Sequence, residues 1–131
     1  MIVLDTSALL PVLADQGGHG ARAREMVRGR DLHVPELADV EFLQAVRRKV
    51  LAGLWTVDRG ELVLDLLAGF PVQRHGHRAL VARAWRLRDS VSAYDAQYVA
   101  LAEVLGATLV TADVRLSRVP GLRCEVRVLT A

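Results

Sequence analysis

Ile2-Val3-Leu4-Asp5-Thr6-Ser7-Ala8-Leu9 runs from three apolar residues through an acid and two hydroxyls into a second apolar stretch. Three consecutive apolar residues without alternation predict a strand buried on both faces, as in a parallel sheet. Asp-Thr-Ser then offers side-chain oxygens to the free N–H groups of a helix over residues 8–14. The same grammar returns late in the chain. Thr108-Leu109-Val110 predicts another short buried strand, and Thr111-Ala112-Asp113 again ends it on a hydroxyl and an acid.

The segments between follow an alternating order. Leu32-His33-Val34 predicts a strand stopped by Pro35, Phe70-Pro71-Val72 a weaker one, and residues 125–129 a last one. Helices are expected over residues 19–29, 36–52, 58–68 with Asp58 as the cap, 76–88, and 92–105 with Gly106 just past the end. Helices alternating with short apolar strands imply an α/β fold with a mostly parallel sheet. No linker, repeat or low-complexity block interrupts the pattern, so a single domain over residues 1–131 is expected. In such sheets ligands bind at the carboxyl ends of the strands.

Composition narrows the class. Hydrophobic residues make up 52% and aromatics only 5%, so Leu, Val and Ala must build the core, and a disordered chain is excluded. A net charge of +2 is too small to establish a nucleic-acid partner. Lys49 is the only lysine among 17 basic residues. Cys124 is the only cysteine, which excludes an internal disulfide and a cysteine-based metal site within one chain. Neither a signal peptide nor a membrane-length apolar run is present, so a cytoplasmic location is expected.

Four carboxylates stand in informative places. Asp5 and Asp113 follow strands, and each also suits a cap or a loop. Glu41 interrupts an apolar helical stripe shared with Leu37, Ala45 and Ala52, unless Arg48 or Arg47 pairs with it at the surface. Asp95 lies on a helix face with Tyr98, Val99 and Ala102, three residues after Ser92, where a capping box is the plainer account. Held together, four carboxylates repel, and a divalent cation removes the conflict. Oxygen-only ligation suits Mg²⁺ or Mn²⁺, which would serve phosphoryl-transfer chemistry with an activated water.

These segments, in this order, resemble the PIN-domain family, and within it the VapC-type toxins of VapBC toxin–antitoxin pairs. The resemblance rests on residues 2–9, on Val34-Pro35-Glu36-Leu37 leading to Glu41, on Ser92-Ala93-Tyr94-Asp95-Ala96-Gln97-Tyr98, and on Leu109-Val110-Thr111-Ala112-Asp113. It implies a three-layer α/β/α sandwich and a Mg²⁺-dependent endoribonuclease, for which Mn²⁺ can substitute. Such an enzyme acts as the toxin of a type II toxin–antitoxin pair and leaves 5′-phosphate and 3′-hydroxyl ends. Asp5, Glu41, Asp95 and Asp113 fall on the family's metal-binding acids, and Thr6 and Thr111 on its orienting hydroxyls. The resemblance also implies a homodimer, an RNA substrate and a cognate antitoxin that blocks the acidic pocket. Where some members carry a further Asp or Asn, this chain has Arg115 and Ser117, which counts against a stable second metal.

RNA near acids needs compensating cations. Residues 66–88 contain no acid and carry five arginines, so Arg78, Arg83 and Arg86 are the expected phosphate contacts, with a merely solvated helix as the plainer account. His75 and His77 are expected at the surface rather than as ligands or acid–base groups. Trp55 and Trp85 are expected in the core or a dimer contact, and Leu9, Val12 and Leu13 in either. The competing function is a non-catalytic PIN-like module that binds RNA or protein. A phosphoryl-accepting domain with Asp5 as nucleophile fits poorly, because Ser7 stands where such enzymes place a second Asp and no lysine follows Lys49.

Overall fold

The computed structural model describes residues 1–130. Strand β1 (Ile2–Leu4) leads into α1 (Thr6–Ala14) and α2 (Gly18–Val27), then β2 (Leu32–Pro35), α3 (Leu37–Leu51), α4 (Val57–Gly69) and β3 (Gln73–His75). A 3-10 turn (Arg78–Leu80) opens α5 (Val81–Arg86), followed by α6 (Ala93–Leu105), β4 (Thr108–Thr111), a second 3-10 turn (Val114–Arg118) and β5 (Val126–Val128). The strands form one five-stranded sheet in the order β3-β2-β1-β4-β5, and every pair is parallel.

That order positions the site. The chain steps from β1 to β2 to β3 in one direction, then jumps back to β4 on the other side of β1. Right-handed crossovers require helices from the two directions to cover opposite faces. Accordingly α1 packs on β1 and β4 and against α2, α3 and α4, whereas α6 packs on β1, β2 and β4 and against α5. The result is the expected three-layer α/β/α sandwich. Its switch point is the crevice past the carboxyl ends of β1 and β4, where ligands bind in open α/β sheets.

The central strands read as the sequence implied. Ile2, Val3 and Leu4 are wholly buried, as are Leu109 in β4 and Phe42, Val99 and Ala102 on the helices beside them. Leu9 and Val12 join this core, with Leu13 packed against it. Helix α6 stops at Gly106, whose φ of +65° is a left-handed conformation that a side chain would strain.

Several expectations are corrected. The third strand is Gln73–His75, not Phe70-Pro71-Val72; Pro71 has no N–H for the ladder. Helix α4 is capped by Thr56, whose hydroxyl accepts from Arg59 N–H, and Asp58 sits inside the first turn. Of the two tryptophans expected in the core or a dimer contact, Trp55 packs against the core, whereas Trp85 is 66% exposed, which removes only the core alternative. Among the described residues, no helix is long and apolar enough to cross a membrane.

Candidate active site

Asp5 follows β1 directly and caps α1: its Oδ1 accepts from Ala8 N–H at 3.2 Å and from the Ser7 hydroxyl at 2.5 Å. Its Oδ2 accepts from the Thr111 hydroxyl at 2.5 Å, across the crevice from the end of β4. The hydroxyls are themselves aimed. Ala112 N–H donates to Ser7 Oγ at 2.9 Å and Asp113 N–H to Thr111 Oγ1 at 3.0 Å. Each hydroxyl therefore accepts from a backbone N–H and donates its proton to Asp5. The cap and the site are one residue.

Asp95 lies in the first turn of α6, where the Ser92 hydroxyl accepts its backbone N–H. Half of a capping box is thus present, and the carboxylate is left free to face the crevice. Asp113 caps the second 3-10 turn and accepts from Arg115 N–H at 2.9 Å. The Arg115 guanidinium also grips both Asp113 oxygens, each at 3.1 Å.

The three aspartates feel one another. Burial pushes the Asp5 carboxyl above its ordinary range, and the charge of Asp95 adds to the push against the lowering from Ser7, Thr111 and Ala8. Burial also raises Asp95, followed by the charge of Asp113, while Arg115 and Ser92 oppose. Asp113 moves the other way, held low chiefly by its hydrogen bonds from Arg115. A cleft of about 240 Å³ is lined by Ser92, Asp95, Asp113 and Arg115.

Glu41 reaches the same region from α3. It has neither Arg48 nor Arg47 as a partner. Its Oε1 accepts from the Tyr98 hydroxyl at 2.5 Å and from the Thr6 hydroxyl at 3.4 Å. Tyr98 is buried, and burial and then its bond to Glu41 keep it a neutral phenol. A second, larger cleft of about 540 Å³ opens on this side, lined by Thr6, Glu41, Arg48 and Tyr94 among others.

Such a donor set, oxygen throughout with two carboxyls raised by burial and by a neighbouring acid, fits a hard divalent cation. Among the described residues, no three His, Cys, Asp or Glu side chains converge as a ready-made cage. Mg²⁺ asks for less, since it keeps several waters and takes one or two carboxylates.

Residues 2–122 match the PIN domain family model. The chain belongs to this family. Ribonuclease VapC9 of Mycobacterium tuberculosis is 39% identical over 129 residues, 98% of each chain. Ribonuclease VapC1 of the same organism is 35% identical over 128 residues, covering 97% of this chain and 96% of the relative. These near-full-length likenesses place the chain among the VapC-type PIN domains. Two solved structures share the fold. VapC20 of M. tuberculosis, described as a sarcin–ricin-loop-cleaving toxin, superposes with a TM-score of 0.71 at 14% identity, over 93% of this chain and 96% of that one. VapBC2 of Rickettsia felis, bound to a promoter DNA fragment, gives 0.70 at 17% identity, over 96% and 98%.

The PIN fold brings Asp5, Asp95, Asp113 and Thr111 together, and Glu41 reaches Thr6, the chain neighbour of Asp5, directly and through Tyr98. It does not bring Arg83 there. Arg83 is paired with Glu103 at 2.6 Å and donates to Gly121 O at 3.0 Å, so its expected role in phosphate contact is withdrawn. Arg78 and Arg86 are exposed on the turn before α5 and on α5 itself. The histidines correct a second expectation. His75 sits 2.8 Å from buried His33, and His77 accepts Leu37 N–H at 2.9 Å while bonding Gln97 through its other nitrogen. They tie β2, β3, α3 and α6 together rather than decorate the surface. Sequence reasoning also passed over Ser7, Tyr98 and Arg115. A tyrosine one turn after Asp95 and an arginine two residues after Asp113 were the available signals.

Proposed function

We propose that this chain is a Mg²⁺-dependent endoribonuclease that acts as the toxin of a type II toxin–antitoxin pair. The observation that carries the reading is the trio Asp5, Asp95 and Asp113 at the β1/β4 crevice, where burial and then a neighbouring carboxylate raise Asp5 (through Asp95) and Asp95 (through Asp113). The ribonuclease names of the near-full-length relatives support it.

Asp5, Asp95 and Asp113 would hold the cation, with Glu41 nearby. When bound, Mg²⁺ or Mn²⁺ supplies charge neutralisation and lowers the pKa of a coordinated water. The hydroxyls of Ser7 and Thr111 fix the orientation of Asp5, and Oδ2, which accepts one hydrogen bond to the two of Oδ1, keeps a lone pair for a ligand bond. Tyr98 and Thr6 hold Glu41 by Oε1, which leaves Oε2 to take the proton of the attacking water. Water adds to phosphorus as the bond to the 3′ oxygen breaks. The oxygen leaves as a 3′-hydroxyl on gaining a proton, and the new P–O bond ends a 5′-phosphate. Arg115, 89% exposed, is free to swing from Asp113 to a phosphate oxygen.

The antitoxin belongs to the same proposal. Solved neighbours include VapBC complexes, and exposed Leu43, Leu51, Leu54, Val57 and Leu62 on and between α3 and α4 offer an apolar surface for a partner chain or a second copy. The test is cleavage of total cellular RNA by the purified, antitoxin-free protein with Mg²⁺ or Mn²⁺, beside EDTA and Asp95→Ala controls. Discrete fragments that vanish in both controls are expected. Absence of cleavage by the folded protein, or cleavage that survives Asp95→Ala, overturns the assignment.

A further inference from the structure

Beside Glu41 and Thr6, the larger cleft runs between α3 and the start of α6, with a volume of about 540 Å³. That is space for a nucleotide-sized ligand. Its walls are unlike those of the acid crevice. Glu41, Gln44 and Arg48 lie at i, i+3 and i+7 on α3, so a carboxylate, an amide and a guanidinium share one helical face. Opposite them stands Tyr94, which is 62% exposed although its chain neighbour Asp95 turns toward the acids. Val40 adds an apolar surface beneath. Arg48 joins none of the ion pairs formed among the described residues, in contrast to Arg74, Arg83 and Arg115.

We propose that this cleft is a subsite for one nucleotide of single-stranded RNA next to the scissile phosphate. The base stacks on the Tyr94 ring, the Gln44 amide meets the base edge, and Arg48 pairs with the flanking phosphate. An exposed aromatic ring is a sequence-tolerant platform for a base, and a guanidinium matches a phosphate bidentately. Gln44 presents both a donor and an acceptor, so it is the group through which this cleft discriminates among bases. Thr6 and Tyr94 line this cleft and are the chain neighbours of Asp5 and Asp95, so it adjoins the acids. The proposal rests on the ribonuclease reading for the direction of the strand, and on the cleft itself for the rest.

The experiment measures affinity without turnover. A short, random-sequence, fluorescein-labelled single-stranded RNA is titrated in EDTA and followed by anisotropy. Tyr94→Ala is expected to raise Kd on the order of tenfold, while Tyr94→Phe retains the ring's affinity. Arg48→Gln is expected to raise Kd and to reduce the slope of log Kd against log salt by about 0.7, one phosphate contact on a single strand. A duplex RNA of the same composition, whose bases are already stacked, is expected to be indifferent to Tyr94. With Mg²⁺ and a cleavable reporter, the Tyr94→Ala increase should reappear in KM. Thermal melts confirm that each variant is folded; Tyr94 is exposed, so its loss is tolerated.

Wild-type Kd and KM in Tyr94→Ala overturn the subsite, as does equal loss in Tyr94→Phe or failure of the wild type to bind RNA. A peptide as the true occupant gives the first of these results. The two readings fail separately. Binding that depends on Tyr94 without any cleavage overturns the nuclease alone. Mg²⁺-dependent cleavage lost in Asp95→Ala, with a silent Tyr94→Ala, overturns the subsite alone.

Discussion

Helix α6 carries a carboxylate near each end, and the two are treated in opposite ways. Asp95, in its first turn, sits where the helix dipole favours negative charge; Glu103, near its last turn, sits where the dipole opposes it. The ordering of their ionisation is nonetheless reversed. Asp95 is raised, by burial and then by Asp113. Glu103 is lowered: burial pushes it up, but the bidentate Arg83 and the N–H of Arg123 outweigh that push. Partners, not position on the helix, decide the outcome. One end is a finished ion pair that holds α5 to α6, and the other is charge assembled against its own interest.

The largest effect should come from Asp95→Asn, read in two assays. Cleavage is expected to fall by about 10²- to 10⁴-fold. In EDTA the same variant should be more stable than the wild type by about 0.5–2 kcal/mol in urea melts, as relief of a strained functional site commonly gives. Mg²⁺ should raise the Tm of the wild type more than that of the variant. A variant that loses both activity and stability would erase the contrast.

Arg83→Ala probes the other end. Glu103 is left with its side chain only 8% exposed and without its cation. Loss of about 3 kcal/mol is expected, with cleavage per folded molecule retained. An equal loss of RNA affinity would return Arg83 to the substrate path.

The two ends should also answer pH with opposite signs. A lowered folded value means that Glu103 stabilises above its ordinary value of 4.5 and loses this contribution as pH falls through the folded value. A raised folded value means that Asp95 costs stability progressively as pH rises from 3.8 through the folded value. Melts of Glu103→Gln and Asp95→Asn against the wild type, from about pH 3 to 7, should therefore diverge in opposite directions. Parallel curves would refute the contrast.

The smallest effect concerns Arg115→Ala. An exposed arginine binds its partner weakly, so removing it should tighten Mn²⁺ binding by calorimetry only a few-fold. Weaker Mn²⁺ binding would show that Arg115 supports the metal rather than competing with it.

Much of this was legible beforehand because hydrophobic runs report the central strands directly. Ile2–Leu4 and Thr108–Thr111 carry no conflicting signal, and the acids that follow them mark the crevice. Asp5 and Asp95 were ambiguous between caps and site residues because they are both: each ends up at a helix start, which is where the sheet's switch point places ligands. The edge of the sheet was harder. Gln73–His75 looks nothing like a strand in hydropathy, because its side chains are spent on Asp39 and His33 rather than on core. The basic segment misled for a related reason. Counting charges over residues 66–88 cannot reveal that Arg83 has a carboxylate waiting on α6, or that Arg115, outside that segment, faces the acids.

The pairing of β1 with β4 also has a bearing on when the crevice comes into being during synthesis. The hydrogen bond from Thr111 to Asp5 joins residues 106 positions apart, and Ile2 pairs in register with Thr108. At the usual pace of synthesis, the first strand waits roughly 5–20 s before its neighbour exists. Until then Asp5 has no Thr111 to orient it, and Asp113 is not yet made. In a growing or prematurely ended chain the acids are therefore apart, and they meet only when the molecule is nearly complete.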